Sequence, residues 1–480
     1  MIFNSIIFLV FFAVCFTFYW FGMSKKKGVR NVFLLLSSYF FYAWWDWRFL
    51  GLIIFSSVVD FAIGRAIFQS NKESKRKALL AASLVANLGL LGVFKYYNFF
   101  IDSLDAVLVP LGASVASAHL EIVLPVGISF YTFQTLSYSL DIYRKKLEPT
   151  SDPVQFFAFV TFFPQLVAGP IERAKDLLPQ FDRDELHFDV AMVRSGFLLA
   201  IWGMFKKIVI ADRLALVVDA AFDQPDGIGG AAAAWALICF TGQLYLDFSA
   251  YSDIAIGISR MLGFKLSTNF KRPYFASSFS NFWNRWHISL SSWFRDYLYI
   301  PLGGNRVSKR RMTLNVMMVF LLSGLWHGAS WNFVIWGALN GIFIIGLDPL
   351  LVRVFAKGKN VGRWVSALLV TGCWALSLAF FRAQSFEDAG LVLNQIFTWA
   401  PVETAVEPMS DEHHQLTVVL LLFLILIEGI VERWGKAADW LSVAPRPFRW
   451  VVYVALAWGV ILLGVHGLQV EDKQFIYFQF

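Results

Sequence analysis

Uninterrupted apolar runs of spanning length decide what this chain can become. Residues 2–21, 78–94, 313–347 and 451–465 are the clearest, and 124–142 is a more polar one. A helix needs roughly 20 apolar residues to cross a bilayer. Inside hydrocarbon every backbone N–H and C=O must find its partner within the chain, which leaves helices and closed barrels. A barrel would read as short segments of alternating polarity, whereas these runs are continuous. Composition agrees. Only 16% of the residues are charged, against about 25% in a soluble domain, too few to solvate a surface of this size. The expected fold is an all-α polytopic transmembrane bundle of about ten to thirteen helices.

The net charge of +7 would suggest nucleic acid as a partner in a soluble protein. Here it is read as loop charge, since basic residues collect on the cytoplasmic side and set topology; no nucleic-acid partner is expected. Lys25, Lys26, Lys27 and Arg30 form one basic loop, Lys72, Lys75, Arg76 and Lys77 a second, and Arg144, Lys145 and Lys146 a third. Between Lys95 and Arg144 there is no Lys or Arg, while Asp102, Asp105 and Glu121 fall there. The three basic loops are therefore expected in the cytoplasm, with the 98–121 loop and the N-terminus outside. The first apolar run has no basic region ahead of it and is expected to be a retained anchor. Cys15, Cys239 and Cys373 lie far apart in apolar segments, so no metal site is expected.

The middle of the chain is less regular. Pro153, Pro164, Pro170 and Pro179 prevent 153–185 from forming one straight helix. Residues 190–222 and 231–262 read as helical. Segment 270–305 mixes Trp, Tyr and Phe with Lys271, Arg272, Arg285, His287, Arg295 and Asp296. That mixture is too costly for a lipid-exposed span and suits a re-entrant or amphipathic segment shielded by protein. Residues 348–363 and 383–415 read as polar connections. No internal repeat is evident, and the chain reads as a single membrane domain over 1–480.

Ionisable groups at membrane depth are expensive and are functional candidates by default. His327 lies inside the uncharged run from Met312 to Gly346. Imidazole can accept and return a proton near neutral pH. On a continuous helix Ser323 and Ser330 would share its face, with Trp326 beside it, and Gly324 and Gly328 would leave room for a helix or a ligand. Packing glue between helices and proton transfer are both open for His327 on spacing alone. In 270–305, a helix would align Asn284, His287, Ser291 and Arg295 on one face and Phe282, Trp286, Leu290, Trp293 and Tyr297 on another. An interfacial aromatic belt explains the tryptophans but not the polar row. Asp247 and Asp253 are expected to pair with Arg285 or Arg295. Gln165, Glu172 and Arg173 are placed along an access path. His119, His413 and His414 are read as solvated bystanders, and His466 has no evident partner in the sequence. No Walker loop, GxSxG elbow or HExxH helix is present.

Trp326-His327-Gly328 in its long apolar segment, the stretches Phe282-Trp283-Asn284-Arg285-Trp286-His287 and Arg295-Asp296-Tyr297-Leu298-Tyr299, and Phe163-Pro164-Gln165-Leu166-Val167-Ala168-Gly169-Pro170 together resemble the membrane-bound O-acyltransferase family. Asn269-Phe270-Lys271-Arg272-Pro273-Tyr274, Gln243-Leu244-Tyr245-Leu246-Asp247 and the C-terminal Phe475-Ile476-Tyr477-Phe478-Gln479-Phe480 extend the likeness nearly end to end. Within the family the chain is most similar to the bacterial alginate O-acetylation branch.

The resemblance implies a ring of helices around a central funnel. N-terminal spans would occupy 1–150, a catalytic core 151–350 and C-terminal spans 351–480. His327 falls on the family's active-site histidine and His287 on a second histidine close to it. Asn284, Arg285, Ser291, Arg295, Ser323 and Trp326 are then expected to contact substrate. The implied activity takes an acetyl group from a cytoplasmic donor, acetyl-CoA, and passes it across the bacterial inner membrane to a separate periplasmic acetyltransferase. That partner would place it on a polysaccharide such as alginate. No bound cofactor is expected. The region after Asn360 is least alike, and the acceptor stays open. D-alanyl transfer to teichoic acid and acetylation of peptidoglycan or cellulose use the same chemistry. Carrier or glycan transport and a non-catalytic scaffold are the rivals from other classes.

Overall fold

The computed structural model describes residues 1–167, 169–355, 360–402, 411–435, 441, 444–465 and 475–476. His466, Ala168 and the last four residues lie outside that set, as does the side chain of His413. Among the described residues there is no strand. Eight helical segments there are long and apolar enough to cross a membrane. Two of them, Lys27–Gln69 and Glu73–Leu111, have 43 and 39 residues, about twice the length that one crossing needs. The chain is thus an all-α polytopic membrane protein. It divides into two compact units, Met1–Phe197 with Ala255–Ser267, and Leu198–Ile254 with Thr268–Phe480.

In the first unit, Lys27–Gln69 folds as two helices, Lys27–Asp46 and Leu50–Gln69, parted by a short turn at Trp47–Phe49. Asp46 caps that turn by accepting from the Arg48 N–H. The packed helices hide one carboxylate. Asp60 is buried and accepts from the Ser83 hydroxyl at 2.5 Å, the Ser139 hydroxyl at 2.8 Å and Asn87 Nδ2 at 2.7 Å. These donors come from helices Glu73–Leu91 and Ile128–Tyr143, so the cluster ties three helices together. Two residues expected in basic loops are interior instead. Arg30 is fully buried and donates to the carbonyls of Phe181 and Arg183, and Arg76 donates to the carbonyl of Tyr143. Backbone carbonyls at or just past element ends accept from the Nη2 of each guanidinium, which loop charge counting does not register.

Segment 153–185 is broken into short helices as expected, although Pro179 falls inside the last of them. Pro153 opens helix Pro153–Thr161, Pro164 falls in the first turn of Phe163–Leu166, and the chain resumes as Ala174–Phe181. Pro opens a helix readily because the first turn needs no N–H from it.

The second unit contains the long helix Gly230–Met261 up to Ile254, and helices Lys309–His327, Trp331–Ile342, Asn360–Arg382 and Asp411–Trp434. Residues 313–347, continuous in hydropathy, are not one helix. Lys309–His327 ends at His327, Gly328 is extended, and Ser330 starts the next helix by accepting from the Asn332 N–H at 3.1 Å. The two helices pack closely where Gly324 faces Gly337. A Cβ on either would collide with the carbonyl of Phe333 or Phe320. The polar connection expected at 383–415 contains helix Phe386–Thr398, started by a reciprocal capping box between Ser385 and Asp388. His414 likewise lies in the first turn of Asp411–Trp434, not in a loop.

Candidate functional site

Helix Lys309–His327 delivers His327 at its last residue, 3% exposed. Aromatic rings surround it. Trp326 and Trp336 each lie 5.1 Å from the imidazole between centroids, and Phe381 lies 5.5 Å away, all edge-on. Ser323 and Trp326 are buried with it. Ser330 does not share its face, because the helix has ended before it.

His287 reaches the same place from the 270–305 segment. That segment is a chain of short turns, Pro273–Phe275, Phe279–Trp283, Ile288–Phe294 and Arg295–Tyr299. The continuous helix expected there is broken at 284–287, where His287 takes a left-handed conformation with φ +41°. His287 is fully buried. Its ring lies 6.4 Å from that of His327 and 5.7 Å from Trp326. Phe248 also meets it edge-on, at 4.6 Å. The residue lies outside the spanning helices, and burial pushes its pKa down to about 3, so the imidazole is neutral near pH 7.

The break separates the polar row. Asn284 and Arg295 are exposed, while His287 is buried. Ser291 donates to the carbonyl of Trp286 at 3.2 Å, and Arg295 pairs with its neighbour Asp296 at 2.9 Å. Arg285 pairs with Glu432 at 3.0 Å, a carboxylate it shares with Arg272. The pairing expected for the aspartates is corrected. Asp253 binds Lys206 at 2.8 Å, and Asp247 binds Lys207 at 2.7 Å. Both lysines sit in the π-helical turn Phe205–Ala211 and are buried. Lys207 also holds Asp212 at 2.8 Å, and Asp247 accepts from the Ile476 N–H at 2.8 Å. Two adjacent lysines within an apolar stretch were the signal for this network, since buried cations need carboxylates. Trp336 and Phe381 carried no signal of their own, because one aromatic among many apolar residues is ordinarily core.

Glu172, placed beside an access path from sequence, is buried in the first unit. It accepts from the Ser267 N–H at 2.6 Å and the Ser267 hydroxyl at 2.8 Å. Burial pushes its carboxyl up to about 7, against the pull of the Ser267 bonds. No group of three or more His, Cys, Asp or Glu side chains suited to a metal exists among the described residues.

Two buried imidazoles walled by aromatic rings are shielded from bulk solvent, a setting in which a proton donor or acceptor meets little competition from water. Comparison with known proteins bears on the family. The model of the membrane-bound O-acyltransferase family matches residues 4–353. A probable alginate O-acetylase of Azotobacter vinelandii is 40% identical over 438 residues, covering 91% of this chain and 85% of that one. One from Pseudomonas putida is 39% identical over the whole of both chains. A peptidoglycan O-acetyltransferase of Helicobacter pylori is 35% identical, covering 82% of this chain and 79% of its own.

Proposed function

We propose, because this chain belongs to the membrane-bound O-acyltransferase family, that it takes acetyl groups from cytoplasmic acetyl-CoA and exports them for O-acetylation of an extracytoplasmic polysaccharide. Membership makes it a multi-pass membrane O-acyltransferase. The rest is our reading: the bacterial inner membrane as its location, the donor, the direction, and a periplasmic acetyltransferase as the recipient partner. Alginate is the first acceptor to test, since alginate O-acetylase is the name of the relatives at about 40% identity.

The observation that carries the chemistry is the buried pair His287 and His327, 6.4 Å apart. In the proposed step a hydroxyl oxygen attacks the thioester carbonyl carbon. His327 accepts the hydroxyl proton as the C–O bond forms. The C–S bond then breaks, and His327 returns the proton to the departing thiolate. Its place at a helix C-terminus, where carbonyl oxygens favour positive charge, suits a ring that becomes cationic in the middle of the step. His287, kept neutral by burial, serves as a hydrogen-bonding partner that orients the thioester or its developing oxyanion. Ser323 and Trp326 line the His327 side. Asn284 and Arg295, being exposed, meet substrate on its way in, and Arg285 and Ser291 hold the segment in shape.

A positioned base of this kind contributes about 10²–10⁴-fold in rate. His327→Ala should therefore strip ester-linked acetyl from the exopolysaccharide of the producing strain, with the protein present in the membrane at its usual level. Unchanged acetyl content would remove His327 from the mechanism.

A further inference from the structure

We propose that Asn269 is a positioning residue for His287, aiming the imidazole by clamping the backbone turn on which it stands. This rests on the acyl-transfer reading above, and its own support is geometric.

A left-handed φ is uncommon outside glycine, and it persists only where the surroundings over-determine it. At His287 the residues that hydrogen-bond the turn include Asn269, through its carbonyl and its side chain. The Asn269 carbonyl accepts from the Ile288 N–H at 2.9 Å. Its side-chain Oδ1 accepts from the Ser289 N–H at 3.2 Å and from the Ser289 hydroxyl at 2.9 Å. Before the histidine, the Lys271 N–H donates to the Arg285 carbonyl at 2.9 Å. The 269–271 stretch thus grips the turn on both sides of His287.

The clamp is itself anchored. Asn269 Nδ2 donates to the Ser252 hydroxyl at 3.2 Å. Ser252 stands on helix Gly230–Met261, one turn after Phe248 and on the same face. Phe248 is the residue whose ring meets His287 at 4.6 Å. A single helix face therefore sets both the wall against the ring and the post that holds its backbone. Asn269 is 1% exposed, so water does not compete for these bonds. The position calls for an acceptor toward Ser289 and a polar contact toward Ser252. Aspartate keeps the acceptor, and alanine removes both.

The test uses native membrane vesicles of the producing strain, radiolabelled acetyl-CoA as donor, and turnover normalised to folded protein. Misplacing a reacting group by about 1 Å can cost 10²-fold. Asn269→Ala is expected to lower kcat roughly 10–100-fold, with KM for acetyl-CoA unchanged. Asn269→Asp recovers much of the loss, and Ser252→Ala loses less in the same direction. On a His287→Asn background, which tolerates the left-handed turn, Asn269→Ala adds nothing. Wild-type kcat in Asn269→Ala, or an equal loss on the His287→Asn background, overturns the proposal. If Asn269→Ala does not fold, Ser252→Ala runs the same cycle. Wild-type turnover by His287→Asn alone overturns the reading of His287 as well, which separates the two failures.

Discussion

His327 and His287 face one another across 6.4 Å, yet the chain holds them by different means. His327 is held by shape. It ends a helix whose Gly324 lies against Gly337 of the next, so closely that a Cβ would strike the Phe333 carbonyl. His287 is held by polar bonds: a left-handed turn gripped by Asn269, and a Phe248 wall next to Asp247 in the Lys207 ion-pair network. The contrast teaches that a buried site can be fixed by backbone contact, which tolerates no added atom, or by hydrogen bonds and ion pairs, which tolerate no missing partner.

Lys207→Met should break the polar side hardest. It leaves Asp212 and Asp247 buried without their shared cation, and breaking a buried pair costs about 3–5 kcal/mol. A large fall in thermal midpoint of the detergent-purified protein is expected. A midpoint within error of wild type would mean the network holds nothing.

Gly324→Ala should break the shape side less, at about 1–3 kcal/mol for overpacking. The expected signature is a lower midpoint and lower turnover of the folded fraction. Were the variant as stable as wild type, the close approach of Gly324 to Phe333 would not matter to His327.

Titration sharpens the comparison with an effect that is small over any one pH unit. The His287 pKa is depressed from 6.5 to about 3, so the unfolded chain binds the extra proton. Stability then falls as pH drops from 6.5 toward 3. Glu172 has the opposite sign. Its carboxyl is raised from 4.5 to about 7, so the folded chain binds the extra proton, and stability falls as pH rises from 4.5 to 7. Each slope is at most about 1.4 kcal/mol per pH unit. Glu172→Gln should leave stability rising more steeply from pH 4.5 to 6.5, and His287→Asn should leave it falling. Midpoints of the two variants that track wild type across this window would contradict both assignments.

The same contrast explains what was legible in the sequence. Apolar length announced the helices, prolines announced the breaks in 153–185, and cost at membrane depth singled out His327 and His287. What hydropathy could not register was local geometry inside an apolar run. Gly328 and Ser330 end and restart a helix without any change in polarity, so 313–347 read as continuous. The row of Asn284, His287, Ser291 and Arg295 assumed helical spacing through a turn that departs from it. Partners distant in sequence were also hidden. Asp247 lies about as far along the chain from Arg285 as from Lys207, and only the fold brings Lys207 and Lys206 to Asp247 and Asp253. Helix Phe386–Thr398 was missed although Ser385 and Asp388 carry its capping signature.

The central claim is that the His327 ring takes part in acyl transfer. The most direct measurement is single-turnover acetyl transfer from radiolabelled acetyl-CoA in vesicles carrying equal amounts of folded wild-type or His327→Ala protein, together with the cell's own acceptor machinery. Loss of at least about 10²-fold in the transfer rate, with acetyl-CoA binding retained, is the result the account requires. Transfer by His327→Ala at the wild-type rate would contradict it.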